Sequence, residues 1–505
     1  MRILFIMTAV LLAACSQTKN EQANSTESDK PNIVFIFTDD QTYTSISSLG
    51  NTEIQTPNID RLVNNGTTFT HAYNMGAWNG AVCVASRAML ISGRSVWHAN
   101  QFRKQWLNGA AIDQTWGKLM EQNGYTTYMS GKWHVDAPAD KVFGTARNVR
   151  PGMPHDAWEH QEMVDKFDSL RRAGQYNPAD IMPVGYNRPK DEQDNSWSPV
   201  DPQFGGFWEG GKHWSEVLKD DAVGFINTAK AEKDPFFMYL AFNAPHDPRQ
   251  SPQEFIDKYP LENLSLPESW MAEYPWKDSI GNGRDLRDEA LAPFPRTPYA
   301  TKKHIQEYYA AITHLDEQIG VILDALQASG KMDNTYVFFT SDHGLAMGRH
   351  GLLGKQSLYD HSIRVPLMVM GPDIPKDKKV DADVYLQDVM ATSLELAGVD
   401  KPDYVEFNSL LQLAKGETTE SAYDAIYGCY INYQRMIRKE GYKLILYPKA
   451  GKQLLFDLEN DPDEIQDLSE NPQYHDKMVS LFNSLTQLQS QMNDTLDLAQ
   501  YFPAN

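Results

Sequence analysis

Four β-favouring runs in this chain each end abruptly in chemically active side chains, and that pattern limits the fold more than anything else in the sequence. Asn32-Ile33-Val34-Phe35-Ile36-Phe37-Thr38 runs into Asp39-Asp40, and Gly124 to Gly131 runs into Lys132-Trp133-His134. Pro235 to Phe242 leads to His246, and Thr335 to Ser341 leads to Asp342-His343. Continuous apolar runs rich in β-branched and aromatic residues are strands buried on both faces, as in a parallel sheet covered by helices. Helical stretches separate them. Thr56 to Gly66 carries a cap, an early proline and a closing glycine, and Trp214 to Lys230 reads as a second helix. From Lys303 to Ser329, Ile305, Tyr309, Ile312, Leu315, Ile319, Ile322 and Leu326 recur at three- and four-residue steps before Gly330. The expectation is an α/β fold with a mostly parallel sheet between helices. In such sheets ligands bind beyond the carboxyl ends of the strands, so the four terminal segments should converge there.

The remaining stretches are of other kinds. Val135 to Lys212 reads as a long irregular insertion, and Glu262 to Thr301, rich in proline, as a second excursion over the surface. Beyond Thr418, short strands at Tyr427–Asn432, Gln434–Arg438, Lys443–Tyr447 and Gln453–Asp457 precede a helix from about Tyr474 to Met492. These predict a small antiparallel sheet with a terminal helix. At the start, Arg2 and an apolar run from Ile3 lead to Leu12-Ala13-Ala14-Cys15. The run is too short to span a bilayer. It resembles a bacterial lipoprotein signal with Cys15 lipidated after cleavage; an ordinary secretory peptide is the alternative, and export is common to both. Ser16 to Lys30 is polar and reads as a disordered tether.

A net charge of −21 argues against nucleic acid as a partner. The chain has three cysteines, Cys15, Cys83 and Cys429. Cys429 lies in an apolar, aromatic run and reads as a core residue. Cys83 opens Cys83-Val84-Ala85-Ser86-Arg87-Ala88-Met89-Leu90-Ile91-Ser92-Gly93-Arg94, or C-x-A-S-R-x-x-L-x-x-G-R. A lone cysteine there would be a buried residue at the start of a helix, but six further positions match a single pattern. The segment resembles the signature of the type I, formylglycine-dependent sulfatases of the alkaline phosphatase superfamily, particularly bacterial polysaccharide and iduronate-type members. The resemblance implies that a formylglycine-generating maturation enzyme oxidises Cys83 to 3-oxoalanine before export, and that the hydrated aldehyde attacks sulfur with one hydroxyl and expels sulfate with the other. With Cys15 lipidated and Cys83 oxidised, no disulfide framework remains.

Adjacent carboxylates such as Asp39 and Asp40 can be a helix cap or a solvated turn. Joined by Asp342 they make an oxygen-rich site that calls for a divalent cation. The resemblance implies calcium, with magnesium as the second candidate, held by Asp39, Asp40, Asp342, His343 and an oxygen at position 83. His343 stands where many members carry asparagine, and a nitrogen ligand departs from an all-oxygen cage. By the same resemblance Arg87 orients the hydrate, Lys132 touches sulfate and leaving oxygen, His134 helps deprotonate the hydrate, His246 protonates the departing alcohol, and Lys355 is a second sulfate-binding lysine. Asp247, Arg249, Arg349 and His350 are candidates for reading the rest of the substrate; each reads equally well as a surface salt-bridge residue.

The resemblance covers Asn32 to roughly Val399 and continues into the tail at Arg438–Ile445 and Leu455–Pro462. It divides the chain into a signal peptide (1–14), a tether (15–30), a catalytic domain (31–417) and a C-terminal subdomain (418–505). The expected activity is hydrolysis of sulfate esters on a carbohydrate. The expected location is the periplasm or envelope of a Gram-negative bacterium, on the outer membrane, with membrane contact only through Cys15. Two rivals remain: a phosphatase or phosphodiesterase of the same superfold, which would call for a Ser or Thr nucleophile and two zinc sites, and a non-catalytic lipoprotein that captures sulfated glycans.

Overall fold

Strand β1 (Asn32–Thr38) is buried along its whole length. Its alternate residues enter different cores: Ile33, Phe35 and Phe37 pack with Trp116 and Tyr239, whereas Val34 and Ile36 pack with Leu218, Phe225, Leu315 and Ile319. Both faces are therefore covered, as the unbroken apolar run requires. In this computed structural model, residues 30–154, 165, 169–170, 172–174 and 185–502 are described. The expected signal peptide, Cys15 and the tether up to residue 29 lie outside them.

The further strands are β2 (Thr67–Tyr73), β3 (Gly76–Ala77), β4 (Thr126–Lys132), β5 (Thr145–Arg150), the short pair β6 (Trp208–Glu209) and β7 (Lys212–His213), β8 (Phe236–Ala241), β9 (Thr335–Ser341), β10 (Arg364–Met370) and β11 (Lys378–Tyr385). Eight of them form one sheet in the order β11-β2-β10-β9-β1-β8-β4-β5. The middle of the sheet is the four strands anticipated above: β9, β1, β8 and β4 are neighbours and mutually parallel. Their carboxyl ends share one edge. Strand β10 runs against both β9 and β2, so the sheet is mostly parallel with one reversed strand. Helices Trp214–Lys230 and Pro298–Ser329 cover the face of Val34 and Ile36, and helix Val82–Ser92 packs into the core of the other face.

The second sheet is made of β12 (Ile426–Tyr430), β13 (Gln434–Lys439), β14 (Tyr442–Tyr447) and β15 (Lys452–Asp457), paired antiparallel and followed by helix His475–Gln491. Strand β3 joins its edge parallel to β12. Cys429, Ile445, Leu455 and Phe482 belong to the same buried cluster as Phe35, so the two sheets share a core. Cys429 is a core residue, its thiol pushed by burial to about 12.

Two sequence expectations need correction. Residues 262–301 are not a surface excursion: Ile280, Asp288, Glu289, Leu291 and Arg296 are all buried. Several of its charges face one another, while Glu273, Asp278, Arg284 and Asp285 stay exposed. Glu289 pairs with Arg296 and accepts the Leu353 and Gly354 amides, which lets a charged segment pack inside. The stretch from Val135 is not wholly irregular either, since β5 closes the sheet edge beside β4. The long helix begins five residues before Lys303, where Thr297 caps Ala300 N and Pro298 takes the first turn. No helix among the described residues is long and apolar enough to cross a membrane.

Candidate active site

The shared edge of the four parallel strands gathers the residues singled out from the sequence. Asp39 and Asp40 follow β1, and Asp40 takes φ 68°, a left-handed conformation uncommon outside glycine. Its backbone is held there by two contacts: Asp40 N donates to Asp342 Oδ1 (3.2 Å), and the Tyr308 hydroxyl donates to Asp40 O (2.7 Å). Asp342 and His343 follow β9. The Asn74 amide donates to Asp342 O (3.0 Å) and fixes that end. His343 Nδ1 donates to Gly344 O (3.0 Å), leaving Nε2 3.3 Å from Asp40 Oδ1 and 3.5 Å from Asp342 Oδ1.

Cys83 is the second residue of helix Val82–Ser92 and is buried. The N-terminal end of a helix favours negative charge. Ligand-capable atoms of Asp39, Cys83, Asp342 and His343 lie within 4.8 Å of one another, as do those of Asp39, Asp40 and His246. Four residues on from Cys83, and so on the same helical face, Arg87 donates from Nε to Asp342 Oδ2 (3.0 Å) and from Nη1 to Lys132 O (2.9 Å). Lys132 Nζ pairs with Asp39. Lys355 Nζ donates to Asp40 Oδ1 (2.9 Å) and to His246 Nε2 (3.0 Å). Although the chain's net charge is −21, three cations, Arg87, Lys132 and Lys355, are buried together here.

Electrostatics in this space are strongly coupled. Burial and the charge of Asp342 push Asp39 well above the usual carboxylate range, and burial also raises Asp40. Asp342 moves the other way: burial opposes its ionisation, but His343, Arg87 and Lys132 hold it low. Burial works against a charged His343, yet Asp342 and Asp40 lift it to about 9. Burial and the Lys355 and Lys132 charges hold His246 well below the usual range. It is therefore neutral, donating from Nδ1 to Asp247 O and accepting at Nε2. Burial would raise the Cys83 thiol, but Lys132, His134 and Lys355 together bring it well below the ordinary value.

His134 Nδ1 lies 3.3 Å from Cys83 Sγ, and His134 also takes a positive φ, 54°. Gly152 leaves room for its ring: a Cβ there would stand 2.3 Å from His134 Cε1 and 2.6 Å from Nδ1. Gly152→Ala is expected to displace the imidazole and lower kcat/KM for sulfate release by about tenfold to a hundredfold. The melting temperature should be little changed. Steady-state kinetics beside thermal denaturation check this, and unchanged kinetics would remove the role given to His134.

The four residues considered for reading the substrate fall in different places. Asp247 adjoins His246 and is paired with Arg287. Arg249 is buried, its Nη1 3.2 Å from His304 Nδ1. Arg349 reaches Thr44 Oγ1 (3.2 Å) on a separate cavity of about 250 Å³. His350 stacks on Tyr359 at 3.9 Å and donates from Nε2 to Glu464 O. Sequence reasoning missed Arg287, Asp288 and Gln356. Asp288 lies 4.0 Å from Lys355 Nζ and accepts from Gln356, which also donates to Gly80 O (3.1 Å). The run Arg284-Asp285-Leu286-Arg287-Asp288-Glu289 reads as solvated, and no local signal marks Asp288 as buried.

A family described as "Sulfatase" matches residues 31–399, and one described as "N-sulphoglucosamine sulphohydrolase, C-terminal" matches residues 348–491. An arylsulfatase of Clostridium perfringens is 30% identical over 475 residues, covering 89% of this chain and 92% of its own. An N-acetylglucosamine-6-O-sulfatase of Bacteroides thetaiotaomicron is 26% identical, covering 97% and 91%. A solved structure described as a complex with its substrate D-glucosamine-2-N,6-O-disulfate shares the fold with a TM-score of 0.69 at 23% identity, covering 92% of this chain and 99% of that one.

Proposed function

Because the chain belongs to the sulfatase family and is a sulfuric ester hydrolase, we propose that it removes sulfate from a carbohydrate with the machinery gathered around Cys83. The observation that carries this reading is the convergence of Cys83 with three buried carboxylates, three buried cations and three histidines at one sheet edge. The N-acetylglucosamine-6-O-sulfatase named above, with a further relative, an ulvan-active sulfatase of Formosa agariphila (25% identical over 99% of this chain), supports a glycan as the class of substrate.

The donor set fits one divalent cation. Asp39 Oδ1 and His343 Nε2 are buried without a hydrogen-bond partner, and such orphaned atoms are expected where an ion completes their surroundings. Asp39, Asp40, Asp342 and His343, with the side chain at position 83, would hold it; the carboxylates favour Ca²⁺, with Mg²⁺ the second candidate. When bound, a cation there offsets the clustered negative charge and polarises sulfate oxygen. Formylglycine at position 83, when formed, supplies the oxygen nucleophile that a thiol lacks.

The chain's own residues then divide the work. Lys132 and Lys355 present ammonium groups to the sulfate oxygens, and Arg87 holds Asp342 in place while adding positive charge beneath the site. His134 Nδ1 faces position 83 and takes up its proton. His246 Nε2 and Lys355 Nζ share a hydrogen bond, so this pair holds a proton ready for the oxygen that departs. The leader Met1–Ala14 ahead of Cys15 supports an exported enzyme, lipid-anchored in the envelope of a Gram-negative cell and matured at Cys83 before export.

Two measurements test the reading. Mass spectrometry of the peptide bearing position 83 should find the thiol replaced by an aldehyde, and the full chain should release sulfate from at least one member of a panel of defined sulfated oligosaccharides. A retained thiol in turning-over enzyme, or no release from any panel member, counts against it.

A further inference from the structure

A cavity of about 750 Å³ opens where Gly80, the segment from Glu273 to Leu286 and the end of β12 meet. Gly80 contributes to its wall. Three residues of extended chain span at most about 11 Å, so this wall lies within that distance of Cys83. Gly80 is also tied to the site through Gln356, the neighbour of Lys355, whose amide donates to Gly80 O. Opposite stand Tyr430 and Tyr433 from the turn between β12 and β13, their rings near-parallel with centroids 6.1 Å apart. Lys449 sits over the Tyr433 ring at 3.5 Å and fixes it. The rim carries Arg284 and Lys277 beside the carboxylates of Glu273, Asp278 and Asp285, so both donors and acceptors for hydroxyl groups stand there.

Neither its size nor its lining suits water alone. The volume lies in the range of ligand pockets, roughly 300–1,000 Å³. Aromatic walls bury the apolar C–H face of a ring, while a guanidinium at the rim meets hydroxyl or sulfate oxygens. Gly281, at φ 84°, keeps the space narrow-walled: a Cβ there would press on the Tyr433 ring at 3.2 Å. Just before Gly80, the buried atoms Trp78 Nε1 and Asn79 Oδ1 have no hydrogen-bond partner among the described residues. They leave a donor and an acceptor in the segment that joins cavity to nucleophile.

We propose that this cavity is a second sugar subsite, which takes the unit next to the sulfated one and makes the enzyme selective for oligosaccharides over monosaccharides. The proposal rests on the reading of the substrate as a sulfated carbohydrate. A sugar seated between Tyr433 and Arg284 would hold its sulfated neighbour against position 83 and lower KM for longer chains.

The test uses the full matured chain, with Tyr433→Ala and Arg284→Ala variants, on matched sulfated mono- and tetrasaccharides drawn from carrageenan, ulvan and heparin, and on an aryl sulfate. Each variant should lower kcat/KM on the tetrasaccharide by about tenfold and leave the monosaccharide and aryl sulfate within about twofold of wild type. Equal losses on all three, or none on the tetrasaccharide, overturn the subsite while leaving the sulfatase reading intact. Failure of wild type on every glycan, with aryl sulfate still hydrolysed, overturns the carbohydrate reading and the subsite with it.

Discussion

Replacing Cys83 by alanine is expected to lower kcat for sulfate release by at least about 10³-fold while leaving the protein folded. The Cys83 side chain is small and its thiol is hydrogen-bonded to His134, so trimming it to a methyl group costs little packing. What goes is the atom on which nucleophile chemistry depends, and groups that act as one unit lose nearly all their effect when the nucleophile is gone. Binding of a sulfated oligosaccharide, followed by calorimetry, should survive. If the variant and the wild type released sulfate equally, the chemistry would not pass through position 83 and the account of it would be wrong.

The second large effect is at Asp342. Asp342→Ala is expected to destabilise the fold by about 3–5 kcal/mol, because it strands a buried cation. Arg87 has no exposure at all, and Asp342 is its carboxylate partner. The same change frees the Asp40 amide and removes a proposed cation ligand, so turnover should vanish as well. Asp342→Asn keeps an acceptor for Arg87 and should recover much of the stability while remaining inactive. Chemical denaturation of both variants, read beside sulfate release, separates the two roles. An alanine variant as stable as wild type would mean that Arg87 finds another partner.

The strands that carry this site were legible because burial on both faces leaves a mark no local substitution can disguise. Ile33 to Phe37 must be apolar at every position since successive residues enter different cores. Other parts of the sheet left no such mark. Strand β2, Thr67–Tyr73, holds four polar residues among seven, three of them buried, of which Thr67 and Thr70 donate to backbone carbonyls of neighbouring segments, and β11 alternates charged and apolar positions at the rim. For the site, residues that follow a strand were visible by position. Asp288 was not, because its burial is set by tertiary pairing between segments far apart in sequence. A charge run on a loop looks the same whether it faces water or a neighbour. Arg287 was hidden for the same reason, and its pairing with Asp247 shows that one of the proposed reading residues is already engaged.

The two-residue strand Gly76–Ala77 has a mechanical consequence. It follows β2 of the main sheet and pairs with Cys429 and Tyr430 of the second, Met75 O and Ala77 O accepting from Cys429 N and Ile431 N, and six residues later the chain reaches Cys83. Backbones approach so closely there that a Cβ on Gly76 would fall 1.9 Å from Cys429 O. The loop bearing the nucleophile is therefore clamped from behind by the C-terminal subdomain. Evolutionary tinkering or protein engineering that swaps that terminal unit for another would retune the reactive centre itself, so the two parts must be inherited as one.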